Sequence, residues 1–232
     1  MARIYIDAGH GAIDPGAVSG DLKESDITYH IASELGDLLQ TAGHSIKYSR
    51  PVFAAGPTLA TRTSEANNWK ADIFVSVHCN SNLGAPGTGT ETYVFAFGGQ
   101  AEKLALEVQP KIVAQLNMAN RGVKVANYQV LRQTNMPAIL IEAGFINHPT
   151  DAEKLRTRGS DFANAIYQGI RIYLGEEDME VIRDAPSDWA KEAWAWAAGQ
   201  GITDGIAPQA QCTREQVITF LYRTVIGEGK LK

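Results

Sequence analysis

Residues 73–77 and 138–141 carry scarcely a polar side chain, and residues 3–7 come close. A strand apolar on both faces must be covered on both faces, which makes it a central strand of an open sheet. The stretches between these runs change period. Ile27, Ile31, Leu35, Leu38 and Leu39 repeat at helical spacing, as do Leu104, Val108, Ile112 and Leu116. Gly43 follows the first of these helices as a C-cap. Helices are predicted over residues 58–69, about 100–117 and 152–173, and further strands over 45–49 and 90–97. Strands alternating with helices imply the α/β class, a mostly parallel twisted sheet flanked by helices on both faces. Ligands of such sheets gather at the carboxyl ends of the strands.

Three residues with useful chemistry fall at those ends. His10 lies in a Gly-rich loop after the first strand, His78 closes the run at 73–77, and Glu142 follows residues 138–141 directly. Period-two alternation sends Ser76 and His78 to one side of their strand and Val77 and Cys79 to the other, so Cys79 reads as a packed thiol. A carboxylate after a buried run is costly unless paired or metal-associated. The bland account of Glu142 is an ion pair with Arg62 or Arg132, but Ala143-Gly144 keeps its surroundings open and favours a chemical role. Glu24 opens the first long helix, where an acidic residue commonly just offsets the helix dipole. Asp21 and Asp26 rival it, and local pattern does not rank the three. His30 and His44 look structural; His148, before Pro149, is the one remaining histidine retained as a substrate-side contact. Two imidazoles and a carboxylate can hold Zn²⁺ with one position open, and a second carboxylate can take a proton from water there. That is a kit for metal-assisted hydrolysis.

Charge and cysteine content narrow the alternatives. Residues 1–175 hold 15 Lys+Arg against 16 Asp+Glu, and residues 176–232 hold 6 against 10. With no basic stripe, nucleic-acid binding is not expected. No apolar run is long enough to cross a bilayer, so no membrane partner is expected. Two cysteines, Cys79 and Cys212, exclude a disulfide framework or a Cys-rich metal site. The composition shifts at Gly175-Glu176-Glu177-Asp178, giving an expected division into a catalytic domain at 1–175, an acidic linker at 176–181 and a small helical module at 182–232. So small a module buries little surface and is expected to lean on a partner, including another copy of itself. Residues 175–178 can be encoded by a purine-rich, ribosome-binding-site-like run ahead of Met179, which raises a tail-only second product; an ordinary linker methionine is the simpler account.

Taken in order, these segments resemble the zinc-dependent N-acetylmuramoyl-L-alanine amidases of the amidase-3 family. The resemblance covers about residues 3–173. It rests on Asp-x-Gly-His-Gly-x-x-Asp-Pro-Gly-Ala at 7–17, a glutamate opening the first helix at Glu24, the segment from Arg62 to Asn80 that ends in His78-x-Asn80, and Glu-x-Gly-Phe-hydrophobic-Asn at 142–147. It departs from the family at Ala12, where a second loop glycine is usual, and at Pro51-Val52-Phe53, where an acidic residue usually follows the arginine. The resemblance implies that His10, Glu24 and His78 are ligands to one Zn²⁺ per catalytic domain and that Glu142 is the catalytic glutamate. It also selects Glu24 over Asp21 and Asp26. The tail looks like one divergent S-layer-homology repeat, through Ile182-Arg183-Asp184, Trp189-Ala190, residues 201–205, residues 213–216 and residues 220–223.

The resemblance implies a peptidoglycan hydrolase that cuts the amide between N-acetylmuramic acid and L-alanine, with the tail holding a cell-wall polymer. A zinc peptidase acting on the stem peptide is the rival enzyme, and a non-catalytic wall binder the rival of another class. The N-terminus enters a strand pattern at once, with no apolar secretory region. The expectation is therefore synthesis in the cytoplasm without a signal peptide and action on the wall after release, as in a phage or prophage endolysin. An autolysin or a sporulation lysin of the same activity is the alternative setting.

Overall fold

A computed structural model describes residues 1–176 other than 12, 52–55, 83 and 85–86. The chain divides into two compact units, Met1–Glu177 and Asp178–Lys232. The second lies outside the described residues, with the wall-binding repeat and the Met179 start read there, and so do Ala12, Val52 and Phe53.

The order of elements is β1 (Arg3–Ala8), β2 (Val18–Ser19), β3 (Leu22–Lys23), α1 (Glu24–Thr41), β4 (Ser45–Tyr48), α2 (Leu59–Trp69), β5 (Ile73–Asn80), β6 (Thr90–Val94), α3 (Gln100–Leu116), β7 (Asn120–Val125), α4 (Gln129–Arg132), β8 (Ala138–Phe145), α5 (Pro149–Thr157) and α6 (Gly159–Tyr173). Six strands form one sheet in the order β4-β1-β5-β8-β6-β7, and β2 and β3 form a small ribbon. The first four run parallel; β6 is antiparallel to β8, and β7 is parallel to β6. The three apolar runs read from sequence are the three adjacent central strands β1, β5 and β8.

Alternation along those strands builds two unlike faces. Ile4, Ile6, Val75, Val77, Ile139 and Ile141 pack in the main core with Ile31 and Leu35 of α1, Val108 and Ile112 of α3, and Phe162 and Ile166 of α6. The opposite side chains, Tyr5, Phe74 and Leu140, pack in a smaller core with Ala66 of α2, Val130 and Leu131 of α4, Ala71 and Ala138, edged by Trp69, Tyr93 and Met136. The second face is covered by two short helices, and His78 and Glu142 share its parity.

Helix α1 ends in a Schellman motif: the Gly43 N–H bonds to the Gln40 carbonyl and the His44 N–H to the Leu39 carbonyl, with Gly43 at φ +88°. The helix expected at 152–173 is corrected to two. The chain leaves helical geometry at Arg158, at φ −125° and ψ 32°. A Cβ on Gly159 would stand 2.2 Å from the His30 ring, so the turn brings bare backbone against α1. The strand expected to Phe97 ends at Val94, and β7, β2, β3 and α4 are additions. β7 reads Asn-Arg-Gly-Val-Lys-Val, an edge strand with little apolar content and hence little signal.

Candidate metal centre

β1 delivers the first candidate ligand, His10, through a loop that needs unusual support. His10 sits in the left-handed region at φ 61°, which costs about 1 kcal/mol or more for a residue with a Cβ. The carbonyls around it are all engaged. Arg62 donates to the Ala8 carbonyl at 2.8 Å and to the His10 carbonyl at 2.9 Å. Arg50 reaches the Gly9 carbonyl at 3.3 Å, and Thr28 donates to it at 2.8 Å. Arg62 is itself held by the buried Asp7 carboxylate at 2.5 Å, which also accepts from Ser76 at 2.8 Å. Arg62, one bland partner considered for Glu142, is therefore occupied beneath His10, and the other, Arg132, bonds to Asn127.

Glu24 stands at the start of α1, buried, and gathers both histidines. His10 Nε2 lies 3.1 Å from Glu24 Oε2 and His78 Nδ1 lies 2.9 Å from Glu24 Oε1. The two rings meet edge-on, with centroids 5.1 Å apart. Backbone N–H groups of Ala17 and Cys79 each donate to the carboxylate at 2.9 Å. Burial alone would raise the Glu24 carboxyl, but hydrogen bonds from His10 and His78 outweigh it and hold the group well below the usual carboxylate range. The bond to Glu24, acting against burial, lifts His10 to about 9. Of the rival carboxylates, Asp21 faces outward in an ion pair with Arg156.

The fit to a metal is testable from the donor set. One ligand atom from each of His10, Glu24 and His78 lies within 4.8 Å of the others. Two imidazole nitrogens and a carboxylate oxygen suit Zn²⁺ and leave a fourth position open. The outer ring nitrogen of His10 is bound by Asp14 at 2.7 Å, the kind of partner that fixes tautomer and ring angle. Asp14 was not singled out from sequence; its signal was the Asp-Pro-Gly turn, whose Gly16 N–H Asp14 also accepts. Two glycines make the space: a Cβ on Gly9 would stand 2.6 Å from His78, and one on Gly16 2.6 Å from both Glu24 and His10.

Glu142 comes from β8, directly beside His78 on β5 in the sheet register. Its Oε2 is buried with no hydrogen-bond partner among the described residues. Burial pushes the carboxyl up from 4.5 to about 7. Cys79 points into the opposite core, and burial pushes its thiol up, so it is no ligand. His148 caps α5, accepting weakly from the Asp151 N–H at 3.5 Å.

A family model described as N-acetylmuramoyl-L-alanine amidase (Amidase_3) matches residues 4–172. The sporulation-specific N-acetylmuramoyl-L-alanine amidase of Bacillus subtilis (strain 168) is 39% identical over 172 residues, 73% of this chain and 65% of that protein. The endolysin of Bacillus phage SPP1 is 35% identical over 173 residues, 72% of this chain and 62% of that protein. The chain thus spans a little under two thirds of either relative. The crystal structure of an N-acetylmuramoyl-L-alanine amidase from Clostridium difficile 630 matches with a TM-score of 0.71 at 34% identity, covering 76% of this chain and 98% of that one.

Proposed function

This chain belongs to the N-acetylmuramoyl-L-alanine amidase family, and we propose that it hydrolyses the amide joining the lactyl group of N-acetylmuramic acid to L-alanine in peptidoglycan. The observation that carries the reading is the two-histidine, one-carboxylate donor set beside Glu142, whose buried Oε2 has no hydrogen-bond partner among the described residues. A Zn²⁺ held by His10, Glu24 and His78 would supply Lewis-acid polarisation of the amide carbonyl and of a water. The protein's own residues do the rest. Glu142 takes a proton from the attacking water and returns it to the departing amine. Asp14 and the backbone donors on Glu24 keep the ligands aimed, so little reorganisation is needed at the moment of reaction.

Digestion of purified muropeptides, followed by labelling of new amines and mass spectrometry, tests this. The expected product is an intact stem peptide with a free L-alanine amine. A cut within the stem would replace the amidase by a zinc peptidase.

We also propose that residues 182–232 bind a wall polymer and associate with other copies, and that the setting is an endolysin's. The support is the S-layer-homology resemblance of the tail and the phage enzyme among the relatives. Tethering raises effective substrate concentration without altering the site. Host cells making the full chain should therefore lyse only once their membrane is permeabilised, and faster than cells making residues 1–175. Lysis without permeabilisation would sink the endolysin setting, and equal lysis rates would sink the targeting role.

A further inference from the structure

Beyond Glu142 the sheet continues into β6 and β7, and an irregularity there gathers charge on the catalytic face. Thr90 pairs with Asn120 and Thr92 with Val123, so Arg121 and Gly122 together oppose the single residue Glu91. This is a β-bulge, with Gly122 at φ +83°. Without the extra residue, Arg121 and Lys124 would point to opposite faces. With it, both reach the buried carboxylate of Glu91: Arg121 Nε at 2.8 Å, and Lys124 Nζ as a second ion pair. Asn80 and Tyr93 donate to Glu91 as well, at 2.6 and 2.9 Å. Glu91 is the direct cross-strand neighbour of Glu142.

The Arg121 side chain is anchored at one nitrogen and 36% exposed. Its guanidinium lies 4.9 Å over the ring of Phe145, whose other surroundings include the bare backbone of Gly87. Only Nε is used by Glu91, and the two terminal nitrogens have no hydrogen-bond partner among the described residues. Two cations on Glu91 leave one positive charge beyond what that carboxylate offsets, with the Glu142 carboxyl as the next neighbour. A stacked, anchored guanidinium with its fork open is preorganised for a carboxylate, since little side-chain freedom remains to be lost.

We propose that Arg121 binds a carboxylate of the leaving peptide, with Glu91, Lys124 and Phe145 as the residues that position it. This rests on the amidase reading. The departing amine receives its proton at Glu142, and on the far side of Glu142 from the histidines lie β6 and β7. The path from β8 to β7 is two strand spacings, about 10 Å. A chain extending about 3.5 Å per residue, together with the reach of the two side chains, brings a carboxylate on the residue after L-alanine to the fork. The site would then separate a stem whose second residue carries a free carboxylate from one in which that group is amidated.

The test is calorimetric binding, to the full-length, zinc-loaded Glu142→Gln chain in which turnover is slowed, of N-acetylmuramoyl-L-alanyl-D-glutamic acid and of its D-isoglutamine counterpart, each with the γ-carboxyl blocked as a methylamide so that the two differ only at the α-carboxyl. The acid is expected to bind about ten- to a hundredfold more tightly, the scale of a charge-assisted bidentate pair. Adding Arg121→Gln should erase the preference by weakening only the acid, and Arg121→Lys, which keeps charge but loses the fork, should leave an intermediate preference. Arg121→Lys also carries the test if Arg121→Gln does not fold. Equal affinities in the parent, or equal weakening of both ligands by the substitution, would overturn the assignment. Loss of the amidase reading looks different: the wild-type chain would free no L-alanine amine while the preference for the acid persisted.

Discussion

Glu142→Gln is expected to slow muropeptide hydrolysis by about a hundred- to ten-thousandfold, the usual cost of losing a general base, while leaving bound zinc at the wild-type level. The amide keeps the shape of the side chain, and the donor set of His10, Glu24 and His78 does not include it. The same substitution should change stability in a pH-dependent direction. Burial raises the Glu142 carboxyl from 4.5 to about 7 in the fold. A group raised in this way contributes stability present below its unfolded value and lost as pH rises through the folded one. Metal-free Glu142→Gln should therefore match the metal-free parent near pH 4 and exceed it at pH 8, by up to about 3 kcal/mol on the scale of 1.36 kcal/mol per pH unit. Single-turnover rates, zinc content and denaturation at the two pH values measure all three effects. Zinc lost together with activity would make Glu142 a ligand and overturn its proposed role.

The central sheet was legible because its strands are apolar on both faces, a pattern few other arrangements tolerate. The same period placed Ser76 and His78 on one side and Cys79 on the other, as the structure has them. Glu24 was another matter. Its selection over Asp21 and Asp26 depends on where the start of α1 falls against the end of β5, and no local pattern encodes that distance; the family resemblance supplied it. The supports of the His10 loop were invisible for the same reason: Arg62 to Asp7 spans 55 residues and Arg50 to Ser25 spans 25. β7 failed on different grounds. An exposed edge strand bent by a bulge has neither alternation nor apolar content to read. What sequence missed is thus concentrated in polar side chains working through tertiary contact, and the candidate carboxylate clamp is built from them.

Removal of the metal should abolish hydrolysis altogether, and Zn²⁺ should restore it, because the proposed chemistry needs a Lewis acid at the point where His10, Glu24 and His78 converge. Glu24→Gln is the more discriminating form of the same prediction. The carboxylate accepts two backbone N–H groups that would keep it in place as a metal ligand, and the imidazole nitrogens it faces are those whose lone pairs a metal would take. An outer partner of a ligand alone typically contributes ten- to a hundredfold in metal affinity; Glu24, sitting in the donor set itself, should cost at least that and take activity down in proportion. Asp14→Asn alters the partner of the far His10 nitrogen and of the Gly16 N–H but no atom of the donor set, and should fall within the smaller range. Competition against a chromophoric zinc chelator ranks the three proteins directly. Affinity unchanged in Glu24→Gln would remove it from the ligand set, and full activity in a thoroughly stripped wild-type chain would remove the metal from the mechanism.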